Sequence, residues 1–179
     1  MNSVDKVNKL SKTVFVSIFG NVFEKTTLIA EKVFTFKPFE NYEELSNKFL
    51  NIFENEREEN HLKILNSHPD LAIEKIMTID SKKEQSDAQL NQCTKEEFEE
   101  FMKLNKDYKK KFNFPFIIAV AGLGRKNILN YFRDRIKKNI NEEFEEAKVE
   151  VKRIGTIRLN KILVRLDIIL NSKNKSIFG

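Results

Sequence analysis

Apolar residues recur at intervals of three and four along most of the chain, which is the spacing of one face of an α-helix. Positions that break helices are few, since the 179 residues include five Gly and three Pro. The pattern therefore predicts an all-α fold with short connecting loops. A chain of this length suits one compact multi-helix domain over residues 1–179, with a core from about 10 to 170 and a flexible C-terminal tail.

The limits of the helices are marked by capping residues, prolines and glycines. The pattern predicts, in order, a helix over about residues 8–22, one from Thr26 or Thr27 to Phe34, one opening at Tyr42, one ending near His68, one over about 95–111, one from the break at Gly122 and Gly124 to about Asn139, and a last one from near Asn141. Thr94 and Glu97 have the spacing of a capping box. Residues 114–120 are too apolar for a surface loop, and they predict either a buried extended segment or a short buried helix.

The composition supports a globular fold, with 40% hydrophobic residues and 16 Phe against no Trp. The net charge of +5 would by itself suggest an anionic partner, but the 32 basic side chains are offset by 27 acidic ones scattered along the chain. The basic runs 109–111 and 137–138 are typical of solvated helix faces. The sequence therefore disfavours nucleic acid as a partner.

The cysteine count and the apolar runs indicate where the protein works. Cys93 is the only cysteine, which excludes an intrachain disulfide and suits a reducing compartment. The apolar run 14–19 is short for the core of a signal peptide, and the run 114–123 is far too short to cross a bilayer. Residues 176–179 lack the Ser-Lys-Leu address of peroxisomal proteins. We therefore expect a cytoplasmic protein without a membrane span.

Familiar cofactor sites find no support in the sequence. The two histidines, His61 and His68, and the single cysteine do not have the spacing of a zinc site. No phosphate-binding loop pattern occurs, and Gly122-Leu123-Gly124 is more typical of a turn. We expect neither a metal nor a nucleotide cofactor.

His68 is a candidate for proton transfer because histidine titrates near neutral pH. Pro69 disfavours helical geometry in the residue before it, so His68 should lie at a helix C-terminus. There the helix dipole favours the protonated imidazole. A lone histidine is more often a hydrogen-bonded structural residue, and that alternative stays open on this evidence.

Ser81 and Glu84 have the Ser-x-x-Glu spacing of a capping box, which is a structural interpretation. A second interpretation is also available, because a helix N-terminus offers backbone donors to an anionic ligand. Glu84 would then be fixed beside that ligand.

Arg158 is the clearest anomaly of the last helix. It lies on the apolar stripe between Ile154 and Ile162, so its guanidinium should point inward. A buried ion pair with an acidic residue of another helix, or snorkelling to the surface, would explain this position. The alternative is a bidentate bond to the carboxylate of a substrate.

Several ordered segments together resemble one enzyme family. They are His68-Pro69-Asp70-Leu71-Ala72, Ser81-Lys82-Lys83-Glu84-Gln85, Leu104-Asn105 with Tyr108, Phe112-Asn113-Phe114-Pro115-Phe116-Ile117-Ile118, and Arg153-Ile154-Gly155-Thr156-Ile157-Arg158-Leu159. Over roughly residues 10–165 the chain resembles the 2-oxo-4-hydroxy-4-carboxy-5-ureidoimidazoline (OHCU) decarboxylases. These carboxy-lyases complete the oxidation of urate to allantoin.

The resemblance implies an all-helical domain that often dimerises, with a site that uses no cofactor and binds a small-molecule substrate. His68 matches the catalytic histidine, and Glu84 would share the proton handling with it. The positions implied to bind or line the substrate are Pro69, Ser81, Gln85, Phe116, Ile117, Ile118, Ala119, Val120 and Arg158. Within residues 116–120, backbone amides as well as apolar side chains are implied to face the ligand.

A few positions depart from the family pattern. Gln89 and Asn113 stand where the pattern has glycine, Ala121 replaces a residue that is usually basic, and the loop over residues 69–80 is shorter than usual. Asn tolerates left-handed backbone geometry, whereas Gln89 adds bulk near the implied site. The competing hypothesis is therefore a helical interaction domain that keeps the fold but has lost the activity.

Overall fold

The computed structural model describes residues 3–72 and 79–175, with the side chains of 4–72 and 79–166. Every regular element in these ranges is helical, which confirms the all-α prediction. The helices are α1 Ser3–Asn8, α2 Lys12–Phe19, α3 Leu28–Phe34, α4 Tyr42–Glu54, α5 Glu58–Ser67, α6 Ile79–Asp87, α7 Lys95–Phe112, α8 Arg125–Arg135 and α9 Ile140–Lys175, and a one-turn 3-10 helix, Leu90–Gln92, follows α6. None of the described helices is long and apolar enough to cross a membrane.

The chain divides into two compact units, one of Met1–Arg57 with Lys152–Gly179 and the other of Glu58–Val151. In the first unit, α2 packs against α3 and α3 against α4. Phe15 lies at the centre of this packing, with its ring centroid 4.7 Å from that of Phe19 and 6.3 Å from that of Phe49. All three rings are fully buried, so aromatic packing supplies much of the core.

Gly155 lets α9 approach the aromatic core of the first unit closely. A Cβ atom at this position would lie 2.9 Å from Cε1 of Phe23, which is closer than such contacts allow. The Phe23 ring is itself stacked on Phe53, with centroids 4.7 Å apart and planes 8° apart, so it has little room to move. The absence of a side chain at residue 155 is therefore a packing requirement.

In the second unit, α7 and α8 pack against each other around Tyr108. The Phe116 ring stacks on Phe132 with a centroid distance of 3.9 Å, and both rings make T-shaped contacts with Tyr108, at centroid distances of 5.4 and 5.6 Å. Phe101 on α7 closes the same cluster against Phe132. This core therefore brings residues 114–120 into contact with the helices on either side of them in sequence.

Residues 114–120 form a buried segment that is not helical, which confirms the first of the two alternatives for this run. The segment is held at two backbone positions. Arg135 donates from Nη1 to the Ile117 carbonyl at 2.7 Å, and the Ala119 N–H donates to Oε2 of Glu150 at 2.8 Å. These bonds satisfy polar backbone groups that a buried extended segment would otherwise leave unpaired.

Arg135 is itself fixed by a buried carboxylate. Its Nε donates to Oε1 of Glu143 at 2.9 Å, and its Nη2 forms an ion pair with the same carboxylate. The Tyr108 hydroxyl donates to Glu143 as well. Burial, followed by the adjacent Glu143 charge, raises the pKa of Tyr108, so the phenol stays protonated and keeps donating.

Several predicted helix boundaries are confirmed. α3 follows Thr27 and ends at Phe34, α4 begins at Tyr42, and α5 ends one residue before His68. The capping box of Thr94 and Glu97 is present at the start of α7. At the other break, Gly122 adopts a left-handed φ of 77°, and α8 begins directly after Gly124.

Two predicted boundaries are wrong. The helix expected over residues 8–22 is shorter, Lys12–Phe19, and it is separate from α1, which ends at Asn8, because Ser11 caps α2 by accepting the Val14 N–H at 3.4 Å. The helix expected to reach Asn139 ends at Arg135. There Lys111 donates to the carbonyls of residues 136 and 138, and Asn139 caps α9 by accepting the Glu142 N–H at 2.9 Å. At both places a capping side chain begins a new helix, although apolar residues continue at helical spacing through the break.

Two expectations fall wholly or partly outside the described residues. Residues 73–78 make up much of the loop that appeared shorter than usual, and residues 176–179 end the tail that was expected to be flexible.

The two departures from glycine both lie in left-handed backbone. Asn113 has φ 62° and caps the C-terminus of α7, where its N–H donates to the Lys109 carbonyl at 2.9 Å. Gln89 has φ 59° before the 3-10 helix. Asparagine adopts this conformation readily, whereas glutamine does not. The strain is therefore concentrated at Gln89.

We predict that Gln89→Gly stabilises the protein by about 0.5–1 kcal/mol. Left-handed geometry costs a residue with a side chain roughly 1–2 kcal/mol, and the greater freedom of unfolded glycine returns about 0.5–1 kcal/mol of that. Urea unfolding measures the difference. Gln92→Gly is the control, because Gln92 lies in the 3-10 helix and should lose stability on the same change. A Gln89→Gly variant less stable than the parent would contradict the assignment of strain.

The buried Arg135–Glu143 pair should be far more important for stability than an exposed pair of the same kind. Arg135→Met leaves the fully buried Glu143 carboxylate without its cation, and we expect it to cost about 3–5 kcal/mol. Arg133, on the same helix as Arg135, forms a more exposed pair with Glu100 of α7, and Arg133→Met should change the free energy of unfolding far less. Equal losses in the two variants would show that burial of the pair is not what matters.

Candidate functional site

His68 follows α5 directly, and its ring is tied back to that helix. The distance from Nδ1 to the Ile64 carbonyl oxygen is 2.9 Å, and the His68 N–H donates to the Leu65 carbonyl at 3.1 Å. A carbonyl oxygen only accepts, so Nδ1 must carry a proton in this bond. Nε2 is then the nitrogen that gains or loses a proton when the ring titrates. The side chain is half-buried, as is that of Pro69.

Gln85 connects α6 to the turn that follows His68. Its Oε1 accepts the Ala72 N–H at 3.0 Å, and its Nε2 donates to the Asp70 carbonyl at 3.2 Å. Ala72 has a left-handed φ of 59°, so this turn is a defined conformation rather than extended chain. The amide of Gln85 therefore supports the His68 turn, and its bonds to the described residues use one of its two N–H groups and one of its two lone pairs. Its contact with a substrate stays a prediction.

Two side chains of α7 hold the same turn from another direction. Nδ2 of Asn105 donates to the Leu71 carbonyl at 3.0 Å, and Nζ of Lys109 lies 2.5 Å from Oδ1 of Asp70. Asn105 is buried and the Asp70 side chain is only 6% exposed. Asn105 and Lys109 are four residues apart and so lie on one face of the helix.

Asn105 and Lys109 have no role in the site predicted from the sequence. A signal was present, however, because Asn105 lies on the buried face of α7 between Phe101 and Phe112, at steps of four and seven. A polar residue on an apolar stripe is the same signal that singled out Arg158.

The capping-box interpretation of Ser81 and Glu84 is wrong. A capping residue has non-helical backbone, whereas Ser81 is preceded by helical Ile79 and Asp80 and lies inside α6. Ser81 and Gln85 are buried on the same side of the helix, and Glu84 is half-buried beside them. Their roles toward a ligand stay predictions.

The predicted lining segment, residues 116–120, is buried except for Ala119, which is half-buried. Its backbone takes part in internal bonds at Ile117 and Ala119. The Ala119 amide, which was implied to face a ligand, donates to Glu150 within the protein. This bond fixes the segment, and contact of the segment with substrate stays a prediction.

Arg158 belongs to the other compact unit and is described within it. Its Nη2 lies 2.9 Å from Oε2 of Glu24, and its Nη1 donates to the Asn21 carbonyl at 3.1 Å. The Arg158 side chain is 3% exposed and that of Glu24 0%. The buried ion pair expected as one alternative is confirmed and snorkelling is excluded, but Glu24 lies in the turn between α2 and α3 and not, as was expected, on another helix. A further bond to a substrate carboxylate stays a prediction.

Comparisons with known proteins agree on one family. The model of the family described as OHCU decarboxylase matches residues 8–160. The chain is 34% identical over 162 residues to the uric acid degradation bifunctional protein of Bacillus sp. (strain TB-90), covering 90% of this chain and 32% of that protein. It is 32% identical over 165 residues to the 2-oxo-4-hydroxy-4-carboxy-5-ureidoimidazoline decarboxylase of Halalkalicoccus jeotgali, covering 92% and 94% of the two chains.

The chain thus spans about a third of the length of the relatives named as bifunctional, and nearly the whole of the relative named as the decarboxylase. The 2-oxo-4-hydroxy-4-carboxy-5-ureidoimidazoline decarboxylase of Mus musculus is 33% identical over 162 residues, with 88% of this chain and 91% of that protein covered.

Solved structures share the fold. A crystal structure of (S)-allantoin synthase superposes with a TM-score of 0.73 at 22% identity, covering 90% of this chain and 54% of that one. A crystal structure of OHCU decarboxylase in the presence of (S)-allantoin gives a TM-score of 0.69 at 24% identity, covering 80% and 96%. Since the family model matches most of the sequence and relatives above 30% identity are covered almost completely, this chain belongs to the OHCU decarboxylase family.

Proposed function

We propose that the protein is a carboxy-lyase that converts OHCU to (S)-allantoin in urate degradation without a cofactor. The observation that carries the proposal is the geometry of His68 within a chain of this family. Its Nδ1 is fixed on the Ile64 carbonyl, so Nε2 is the group that can exchange protons with a substrate. The relatives of matching length are named for the same decarboxylation.

The substrate carries a carboxylate and a hydroxyl on one ring carbon, beside an imine carbon that bears the ureido group. The bond to the carboxylate breaks, CO2 leaves, and the electron pair enters the ring, where the imine nitrogen takes up a proton. The resulting enol loses its hydroxyl proton as a ring carbonyl forms, and the ureido carbon gains a proton. Because the conjugated ring accepts the electron pair, the chemistry calls for neither a metal nor a pyridoxal group.

The residues divide this work according to their chemistry. We assign the protons to His68 and Glu84, and the proton added to one face of the ureido carbon sets the S configuration. Ser81 and Gln85 would hydrogen-bond the ring and ureido groups, while Pro69 and residues 116–120 provide the wall. Arg158 is assigned the substrate carboxylate because a guanidinium binds that group in a bidentate pair.

The setting of the enzyme is part of the proposal. A cytoplasmic homodimer fits the family resemblance, and the lone Cys93 suits a reducing compartment. A single domain is supported by the family model, which matches a continuous range with residues from both compact units. Light scattering after size-exclusion chromatography tests the homodimer, and a monomer mass would refute it.

Circular dichroism of freshly generated OHCU tests the activity directly, because only a stereoselective catalyst speeds the appearance of optically active allantoin. We expect wild-type protein to do so and His68→Asn to be slower by about 10²–10⁴-fold, the usual contribution of general acid–base catalysis. Asn can still donate near the Ile64 carbonyl, so the change removes chiefly Nε2. His61→Asn, which removes the only other histidine, is the control. A wild-type protein without effect would favour the interaction-domain hypothesis.

Kinetics of Arg158 and Glu24 variants separate a substrate-binding arginine from a purely structural one. If Arg158 binds the substrate carboxylate, Arg158→Lys should raise KM about tenfold or more, since bonds to charged groups are worth about 1.5–3 kcal/mol. Glu24→Gln removes the negative charge that competes with the substrate carboxylate for the Arg158 guanidinium. We therefore expect KM to stay constant or fall while the stability of the protein decreases. If Arg158→Lys lowers stability and leaves KM unchanged, the arginine is structural.

A further inference from the structure

The turn after His68 is held at consecutive residues by one helix. Lys109 binds the Asp70 carboxylate and Asn105 binds the Leu71 carbonyl, both from the same face of α7. We propose that Asn105 and Lys109 are positioning residues that set where His68 stands. The proposal rests on the proposed function, in which His68 exchanges protons with the substrate.

The Asp70–Lys109 pair is suited to this task because Asp70 is almost completely buried. A buried carboxylate is costly to leave without a cation, so the Lys109 ammonium stabilises the turn conformation that brings Asp70 to it. The Lys109 side chain is 43% exposed, which lets the pair form without burying both charges. Asp70 is two residues from His68, and Pro69 between them restricts the backbone. A displacement of Asp70 is therefore transmitted to the imidazole.

Asn105 adds a bond whose direction is fixed. Its Nδ2 donates to the Leu71 carbonyl at 3.0 Å in a buried environment. The Oδ1 of Asn105 has no hydrogen-bond partner among the described residues. Within that part of the chain, the side-chain amide therefore bonds through its Nδ2 to the Leu71 carbonyl. Loss of the amide would leave a buried carbonyl unsatisfied and would favour a different turn conformation.

The supporting helix is well suited to act as a fixed reference. α7 has 18 residues, a complete capping box at its start and a left-handed cap at Asn113. Tyr108, between the two positioning residues, donates to the buried Glu143. Side chains on rigid helices place a functional group more accurately than side chains on loops do.

Matched lysine variants test the proposal. Lys109→Met removes the cation from Asp70, and Lys110→Met removes the neighbouring exposed lysine as the control. For Lys109→Met we expect kcat to fall on the order of tenfold to a hundredfold, as for a small misplacement of a catalytic group, with KM within about twofold of the parent. Lys110→Met should match the parent, and Lys109→Arg should recover most of the loss because it restores the charge.

Histidine-selective NMR supplies a readout independent of activity. The chain has two histidines, so a His61→Asn sample assigns the ring resonances. We expect Lys109→Met and Asn105→Leu to shift or broaden the His68 resonance, with that of His61 unchanged. If Asn105→Leu fails to fold, Lys109→Met alone decides.

Each outcome bears on a separate claim. Folded Lys109→Met protein with parental kcat, or with an unmoved His68 resonance, overturns the positioning role. A lower melting temperature without either change also overturns it, since the pair would then be merely structural. If the parent does not decarboxylate OHCU, the proposed function fails, whereas the NMR comparison still reports whether α7 sets the position of His68.

Discussion

The buried carboxylate of Glu143 ties together three helices of the second compact unit. A fully buried charge is tolerated only when its hydrogen-bonding capacity is used, and here Tyr108 and Arg135 donate to it together. The three residues come from α7, α8 and α9, so the carboxylate fixes the spacing of three helices at one point. Arg135 then extends this order to the Ile117 carbonyl, in a segment with no regular structure of its own.

The same helices carry order to both parts of the proposed site within this unit. On α9, Glu143 and Glu150 are two helical turns apart, and they hold residues 116–120 through Arg135 and through the Ala119 amide. On α7, Asn105 and Lys109 hold the turn after His68. Neither segment has regular secondary structure that would fix it, so side chains from rigid helices replace the missing backbone hydrogen bonds. This arrangement requires each buried charge to have a partner of opposite charge.

The sequence could predict most of the helices because their apolar stripes are regular and their caps are conventional, as Thr94 and Glu97 show. It failed where a local side chain outweighed the period. Ser11 divides a continuous stripe by accepting one N–H, and Ser81 has the spacing of a cap but follows residues that are already helical. Such competition between cap and helix depends on tertiary packing. The motif likewise predicts Gln85 as a site residue, but its bonds to the turn backbone depend on tertiary packing and were not foreseeable.

Buried arginine shows how far a sequence pattern can carry a functional argument. Arg158 was singled out because it interrupts an apolar stripe, and it is indeed buried against Glu24 and the Asn21 carbonyl. Arg135 has an equivalent set of bonds, to Glu143 and to the Ile117 carbonyl. In each, a guanidinium pairs with a buried carboxylate and uses another donor on backbone, so the ion pair does not distinguish an arginine that binds substrate from one that supports structure. An arginine can bind substrate only if one of its N–H donors turns to the ligand while the others keep the buried carboxylate paired. The change in KM on substitution of the arginine measures whether this happens.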